Sequence, residues 1–243
     1  MLASNVLRLS QARSLLVELL FAAGRWDDAL LEAGSVVEGQ VNPDNEATLL
    51  GIAAVIRAHR DPSFIGLDPL DYERQTAQLG GRVAGPLLLA MALTNERAGR
   101  PAEALVLLMW GLAESEEVTV AADVLADAAR LAVALGDQTA TQAVLDYVEP
   151  IMRASAESWL ENVAMHCAGL VARDPVRLLE AARRYAEAGR PLPRAQALEA
   201  AATALAEAGD AAGARAHLDE ARDLYAALGA EWDLARTASP SRQ

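Results

Sequence analysis

The chain has 243 residues, with 21 basic against 34 acidic side chains and a formal net charge of −13. All the basic residues are Arg, and 54 positions are Ala. The acidic balance lacks the charge needed to neutralise nucleic-acid phosphates or an anionic membrane. The absence of Lys rules out a Walker-type nucleotide loop, and a lone cysteine, Cys167, rules out an internal disulfide framework. At this length roughly 70–75% of the unfolded surface can be buried, so no staple is needed.

In chain order, the apolar stretch 15–23 is interrupted by Glu18 and closed by no cleavage site, so it predicts a helix and not a signal peptide. No window reaches the ~18 uncharged apolar residues of a membrane span, and a cytoplasmic protein is expected. Ala, Leu, Glu and Arg lose little side-chain entropy in a helix. Their runs predict helices over 7–23, 26–38, 44–59, 69–79, 85–98, 101–114, 117–135, 138–153, 156–172, 175–188, 191–208, 210–228 and 230–237. Period-two alternation is absent, and no strand is expected. Between helices a short phrase recurs: a small apolar residue, Gly, then Arg or Asp. It stands at 23–25, 98–100, 135–137, 188–190 and 208–210, with a variant at 228–230. Gly there ends a helix in the left-handed conformation, the following Asp can cap the next helix, and Pro101 and Pro191 suit a first helical turn. Gly169, Gly189, Gly209 and Gly229 are spaced by twenty residues, and Gly99 and Gly136 by 37. A helix and a tight turn every twenty or so residues describes a helical-hairpin solenoid. Residues 60–68 are the least helical, a candidate break, and the tail 238–243 is expected to fray.

Little in the chain carries chemistry. His59, His166 and His217 are far apart, with no second ligand at metal spacing, so no metal or cofactor is expected. Cys167 has no visible base and reads as a small core residue. Asp27-Asp28 and Glu116-Glu117 suit helix starts, Arg183-Arg184 reads as a solvated face, and no enzyme is expected. Surface recognition remains. The helix over 156–172 places Leu160, Ala164, Cys167 and Val171 on one face and Trp159, Asn162 and His166 on another. Trp26 and Trp232 follow turns and are expected to pack between helices. Trp110 and Trp159 are the better groove candidates.

The phrase Ala23-Gly-Arg-Trp-Asp-Asp-Ala-Leu30, echoed at 98–105, resembles the tetratricopeptide repeat (TPR). From about residue 117 the order of phrases resembles the C-terminal helical-repeat region of large ATP-binding regulators of the LuxR type, common in actinobacteria. The carrying phrases are 126–137, 164–175, 189–201 and 224–233, the last reading Leu-Tyr-Ala-Ala-Leu-Gly-Ala-Glu-Trp-Asp. The resemblance is specific over about half the chain, and the Arg-only, Ala-rich composition fits a high-GC genome. It implies a helical-repeat sensor that holds an effector and gates self-association. In such regulators a nucleotide-binding switch precedes the sensor and a DNA-binding helix-turn-helix follows it. This sequence has neither, which implies either a piece of a longer regulator or a short protein that kept only the sensor.

The expected fold is therefore all-α, a TPR-like right-handed helical-hairpin solenoid over 1–243. The expected function is non-catalytic: binding a small-molecule effector or an intramolecular partner on the concave face, with no direct nucleic-acid or membrane contact. The candidate contacts are Trp110, Arg130, Trp159, Asn162 and His166. The alternative is a stand-alone adaptor that grips a basic segment of a partner protein. The broad apolar faces of the first helix (Leu15, Leu16, Leu19, Leu20, Phe21) and of 195–206 would allow a homodimer.

Overall fold

The computed structural model describes residues 2–35, 42–66, 84–114, 118–154 and 159–238, and among these every regular element is an α-helix. The helices are α1 (Leu2–Ala22), α2 (Trp26–Gly34), α3 (Pro43–Arg60), α4 (Gly85–Arg97), α5 (Pro101–Glu114) and α6 (Val118–Leu135). They continue with α7 (Gln138–Ala154), α8 (Trp159–Ala172), α9 (Pro175–Glu187), α10 (Pro191–Glu207), α11 (Ala211–Leu228) and α12 (Glu231–Ala238). The helix expected over 69–79 and the pair Glu116-Glu117 lie outside the described residues. α1 starts earlier than expected because no Gly or Pro interrupts 2–22. α2 stops at Gly34, short of 38, where the Ser35 amide and hydroxyl both donate to the Glu32 carbonyl and close the last turn. None of the described helices is long and apolar enough to cross a membrane.

One turn geometry joins most of these helices. At Gly24, the Gly24 amide donates to the Phe21 carbonyl and the Arg25 amide to the Leu20 carbonyl, a paired closure that satisfies two orphan carbonyls of α1. The same pair of bonds closes the turns at Gly99, Gly136, Gly189, Gly209 and Gly229, each Gly at positive φ. It also closes the turn between α8 and α9, where Arg173 takes the left-handed position at φ 49°. Gly169, read from the sequence as a turn marker, instead sits inside α8. A Cβ there would come within 2.9 Å of Leu178 Cγ, so it permits close approach of α9. Asp137, Asp174 and Asp210 cap the helices that follow them through bonds from Ala140, Val176, Arg177 and Gly213 amides. Connections of two or three residues turn the chain back, so each joined pair lies antiparallel.

The chain divides into two compact units, Met1–Val124 and Leu125–Gln243. In the first, α1, α2 and α3 pack together, α3 packs on α4 and α4 on α5. Gly51 brings α3 against the α4 backbone, its absent Cβ falling 2.3 Å from the Leu87 nitrogen. Trp26 is fully buried as expected, between the Phe21 ring at 6.1 Å and the His59 ring at 5.7 Å, and its indole N–H donates to the Phe21 carbonyl. α3 ends at Arg60, and 61–66 leaves the helix in a turn held by Asp61, whose carboxylate accepts from the Ser63 amide and hydroxyl. On α1, Leu15, Leu16 and Leu19 are exposed.

In the second unit α7 packs on α8, α8 on α9, α9 on α10, α10 on α11 and α11 on α12. Small side chains make this possible. The apolar face of α10 (Ala195, Ala197, Leu198, Ala201, Ala202 and Ala204) is buried between its neighbours, with Leu178, Ala201 and Ala204 forming one core cluster. The broad apolar face expected over 195–206 is thus covered within the unit. Trp232 is half-buried, with the Arg236 guanidinium over its ring at 5.3 Å.

Candidate functional site

A cleft of about 470 Å3 opens in the second unit where the start of α8 meets the end of α9. Trp159 and Asn162 line it from the first turn of α8. Arg183, Arg184, Glu187 and Ala188 line it from the end of α9, and Arg190 from the turn into α10. Among the described residues the lining carries three guanidinium groups and one carboxylate.

The cations are held from behind by acids. Glu180 accepts from Arg183 Nε at 2.8 Å and Nη2 at 2.6 Å, and from Arg184 Nε at 3.0 Å. These bonds hold the Glu180 carboxyl down to about 2. Arg184 also reaches Glu161 of α8 at 3.5 Å, and Arg183 pairs with Glu187. Arg183 and Glu187 are both largely exposed, and an exposed pair contributes little, so a competing anion can displace it. The Arg190 guanidinium carbon lies 4.4 Å from the centre of the Trp159 ring, a cation–π contact.

Behind Trp159 the aromatic contacts continue inward. Its ring lies 5.5 Å from Tyr185 of α9, and Tyr185 lies 5.8 Å from His166 of α8. Tyr185 and His166 are buried, and among the described residues neither the Tyr185 hydroxyl nor either His166 nitrogen has a hydrogen-bond partner. Burial pushes the Tyr185 hydroxyl well up, with Cys167 adding and the Arg190 guanidinium opposing. Burial holds His166 down to about 4, against a weaker opposite pull from Asp127, so it is neutral at pH 7. Burial and then Asp127 push the Cys167 thiol up, which makes it a poor nucleophile.

The structure thus brings Trp159 and Asn162 together in the cleft and sets His166 beneath it, 2% exposed. Arg130, on α6, is tied to Asp127 by bonds at 3.1 and 2.9 Å and does not line the cleft. Trp110 belongs to the first unit, 38% exposed on α5 beside the more exposed Val106. Sequence reasoning passed over Arg190 and Tyr185 and read Arg183-Arg184 as a solvated face. One signal was available: Tyr185-Ala-Glu-Ala-Gly189 and Tyr225-Ala-Ala-Leu-Gly229 repeat a buried tyrosine forty residues apart, each four residues before a turn glycine. Among the described residues no group of His, Cys, Asp and Glu is placed to hold a metal ion. Comparison with protein-family models, with curated proteins and with solved structures finds no match.

Proposed function

We propose that this chain is a non-catalytic cytoplasmic sensor module, similar to the helical-repeat region of large ATP-binding LuxR-type regulators. In this reading it is a TPR-like right-handed solenoid, with a small effector or an intramolecular partner held at the α8–α9 cleft. The carrying observation is the cleft itself, where an accessible Trp and a polar Asn stand before buried aromatic groups with unspent hydrogen bonds. The recurring turn, the packing of chain neighbours and the quoted phrases support the repeat assignment. Effector binding regulates only if the resting and assembly-competent states differ in affinity for it.

The test is thermal unfolding of the chain against a panel of small metabolites. A ligand present at a hundred times its Kd stabilises by about 2.7 kcal/mol, which moves Tm by several degrees. At least one compound is expected to raise Tm in the parent chain and not in Trp159→Ala/Asn162→Ala. The adaptor reading draws its support from the exposed Val106 and Trp110 side chains of α5. It replaces the sensor if no compound moves Tm while a basic peptide binds, releases with salt and is lost in Trp110→Ala.

A further inference from the structure

The second unit buries two tyrosines at matching positions, and their surroundings differ. Tyr225 donates to Glu199 Oε2 of α10 at 2.8 Å. The same carboxylate takes two bonds from Arg236, which lies over the Trp232 ring. Tyr185 stands forty residues earlier, near an arginine that likewise lies over a tryptophan, but its hydroxyl has no partner among the described residues. Its ring meets that of His166 edge-on, at 77°, and neither imidazole nitrogen has a partner there. The α8–α9 contact thus holds three buried polar atoms that water would satisfy and the closed helices do not.

Little apolar surface is set against this. Beside His166 the buried residues of α8 are Val163, Ala164, Cys167, Ala168 and Gly169, all small, and burying small side chains contributes little. Each helix from α7 to α12 packs on its chain neighbours, so α8 and α9 can part while α10 stays on α11 and α11 on α12. Among the described residues the one charge that acts on His166 is Asp127 of α6, itself bonded to Arg130. Tyr185 of α9 and Cys167 of α8 are neutral at pH 7, and no charged group of α7 acts on the imidazole. A protonated imidazole so placed is poorly solvated until the contact opens.

We propose that the α8–α9 contact is an acid-sensitive joint: proton uptake by His166 parts the two helices and bares His166, Tyr185 and Cys167, while α10, α11 and α12 remain folded. The joint needs no ligand at the cleft, so it goes beyond the effector reading and gives the hairpin a second state. Burial holds His166 down to about 4 in the closed hairpin, whereas an exposed histidine takes its proton near 6.5. The open form binds the proton first, so its share rises as pH falls, by about threefold from pH 7 to 6 and about twentyfold from pH 7 to 5.

Cys167, the sole cysteine, is fully buried and close enough to act on the Tyr185 hydroxyl, so its reactivity reports the opening. The experiment is labelling of Cys167 in the full chain with a dipyridyl disulfide between pH 7 and pH 5. Each rate is divided by that of a cysteine peptide at the same pH, and circular dichroism follows global unfolding in parallel. The normalised rate is expected to rise about twentyfold over this range. It should stay nearly flat in urea below the unfolding transition, the mark of a local opening. His166→Gln is expected to remove the rise. Tyr185→Phe removes only an unpaired hydroxyl, so it folds, and it should slow labelling about fivefold because closing no longer strands that group. A urea slope equal to that of global unfolding overturns the local joint. A normalised rate that ignores pH, or rises equally in His166→Gln, overturns His166 as its trigger. An unchanged rate in Tyr185→Phe means that α8 and α9 do not part at this contact, and the proposal falls.

Discussion

The α8–α9 hairpin and the α10–α12 end of the same unit are built from the same parts and resolve them oppositely. Around Tyr225 every strong group is spent. Glu199 receives the hydroxyl and the arginine fork, and Asp233, 1% exposed, receives Arg236 at 3.2 Å, which leaves only Arg236 Nε without a partner. Burial opposes the charge on Arg236, but Glu199, Tyr225 and Asp233 outweigh it and raise its pKa well above the ordinary value. Around Tyr185 the hydroxyl and both His166 nitrogens are buried with nothing to bond. Each such group forfeits a desolvation cost of about 1–3 kcal/mol. A closed polar set holds a short helix, α12, in place; the open one leaves its desolvation cost uncompensated.

The largest effect expected from breaking this contrast is at the closed set. Glu199→Ala leaves Arg236 with only Asp233 and strands the Tyr225 hydroxyl, as happens when one partner of a buried ion pair is removed. Urea unfolding should register a loss of about 3 kcal/mol. Next is acid. His166 is neutral in the folded chain down to about pH 4, whereas an unfolded histidine takes its proton near 6.5. The groups that act on it are Asp127 from α6, Tyr185 from α9 and its neighbour Cys167. The unfolded state binds the proton first, so stability is full above pH 6.5 and falls as pH drops toward 4. The loss reaches about 3 kcal/mol at the lower end. Urea unfolding across that window should show this slope in the parent chain and not in His166→Gln.

A smaller effect separates the tyrosines most cleanly. Tyr225→Phe deletes a bonded hydroxyl and leaves a carboxylate oxygen short of a donor, which should cost about 1–2 kcal/mol in urea unfolding. Tyr185→Phe deletes an unbonded one together with its desolvation cost, and should raise stability by about 1 kcal/mol, because the phenyl ring keeps the contacts with Trp159 and His166. Equal costs at both positions would mean that the Tyr185 hydroxyl already has a partner in the free chain, and the contrast would fall.

How far these features were legible follows from which residues carry them. Helices and turns could be read because Ala- and Leu-rich runs end in glycine phrases, and a left-handed residue is almost always announced by Gly. The α8–α9 turn falls between 172 and 175, where the expected helices left it, although Arg173 and not a Gly takes the left-handed position; Gly169, which fitted the twenty-residue spacing, lies inside α8 for the approach of Leu178. In the cleft, Trp159 and Asn162 could be read from helical spacing. His166 shares that spacing, but α9 closes over it, and only the packing of the two helices decides that. Arg183 and Arg184 have the composition of a solvated face whether or not Glu180 and Glu187 gather them at a cleft. Arg130 was drawn toward Asp127, a partner one turn away on its own helix.

The smallest effect tests whether the open hairpin carries its cost in one place or two. Its turn is the one closed by a residue with a Cβ in the left-handed region, Arg173, while the hairpin of Tyr225 uses Gly209 there. A left-handed non-glycine residue costs about 1–2 kcal/mol. Arg173→Gly relieves that, gives back some of it as chain entropy, and loses an exposed pair with Glu207 that contributes less than about 1 kcal/mol. The net expectation is a gain of about 0.5 kcal/mol, a rise in Tm of about 1–2 °C. The turn lies at the opposite end of the hairpin from the cleft, so affinity for a compound that raises Tm in the metabolite panel should not change. A gain in stability with unchanged affinity would separate the turn's strain from the unpartnered polar groups. If affinity fell with the gain, the strain at Arg173 would itself be part of what shapes the cleft.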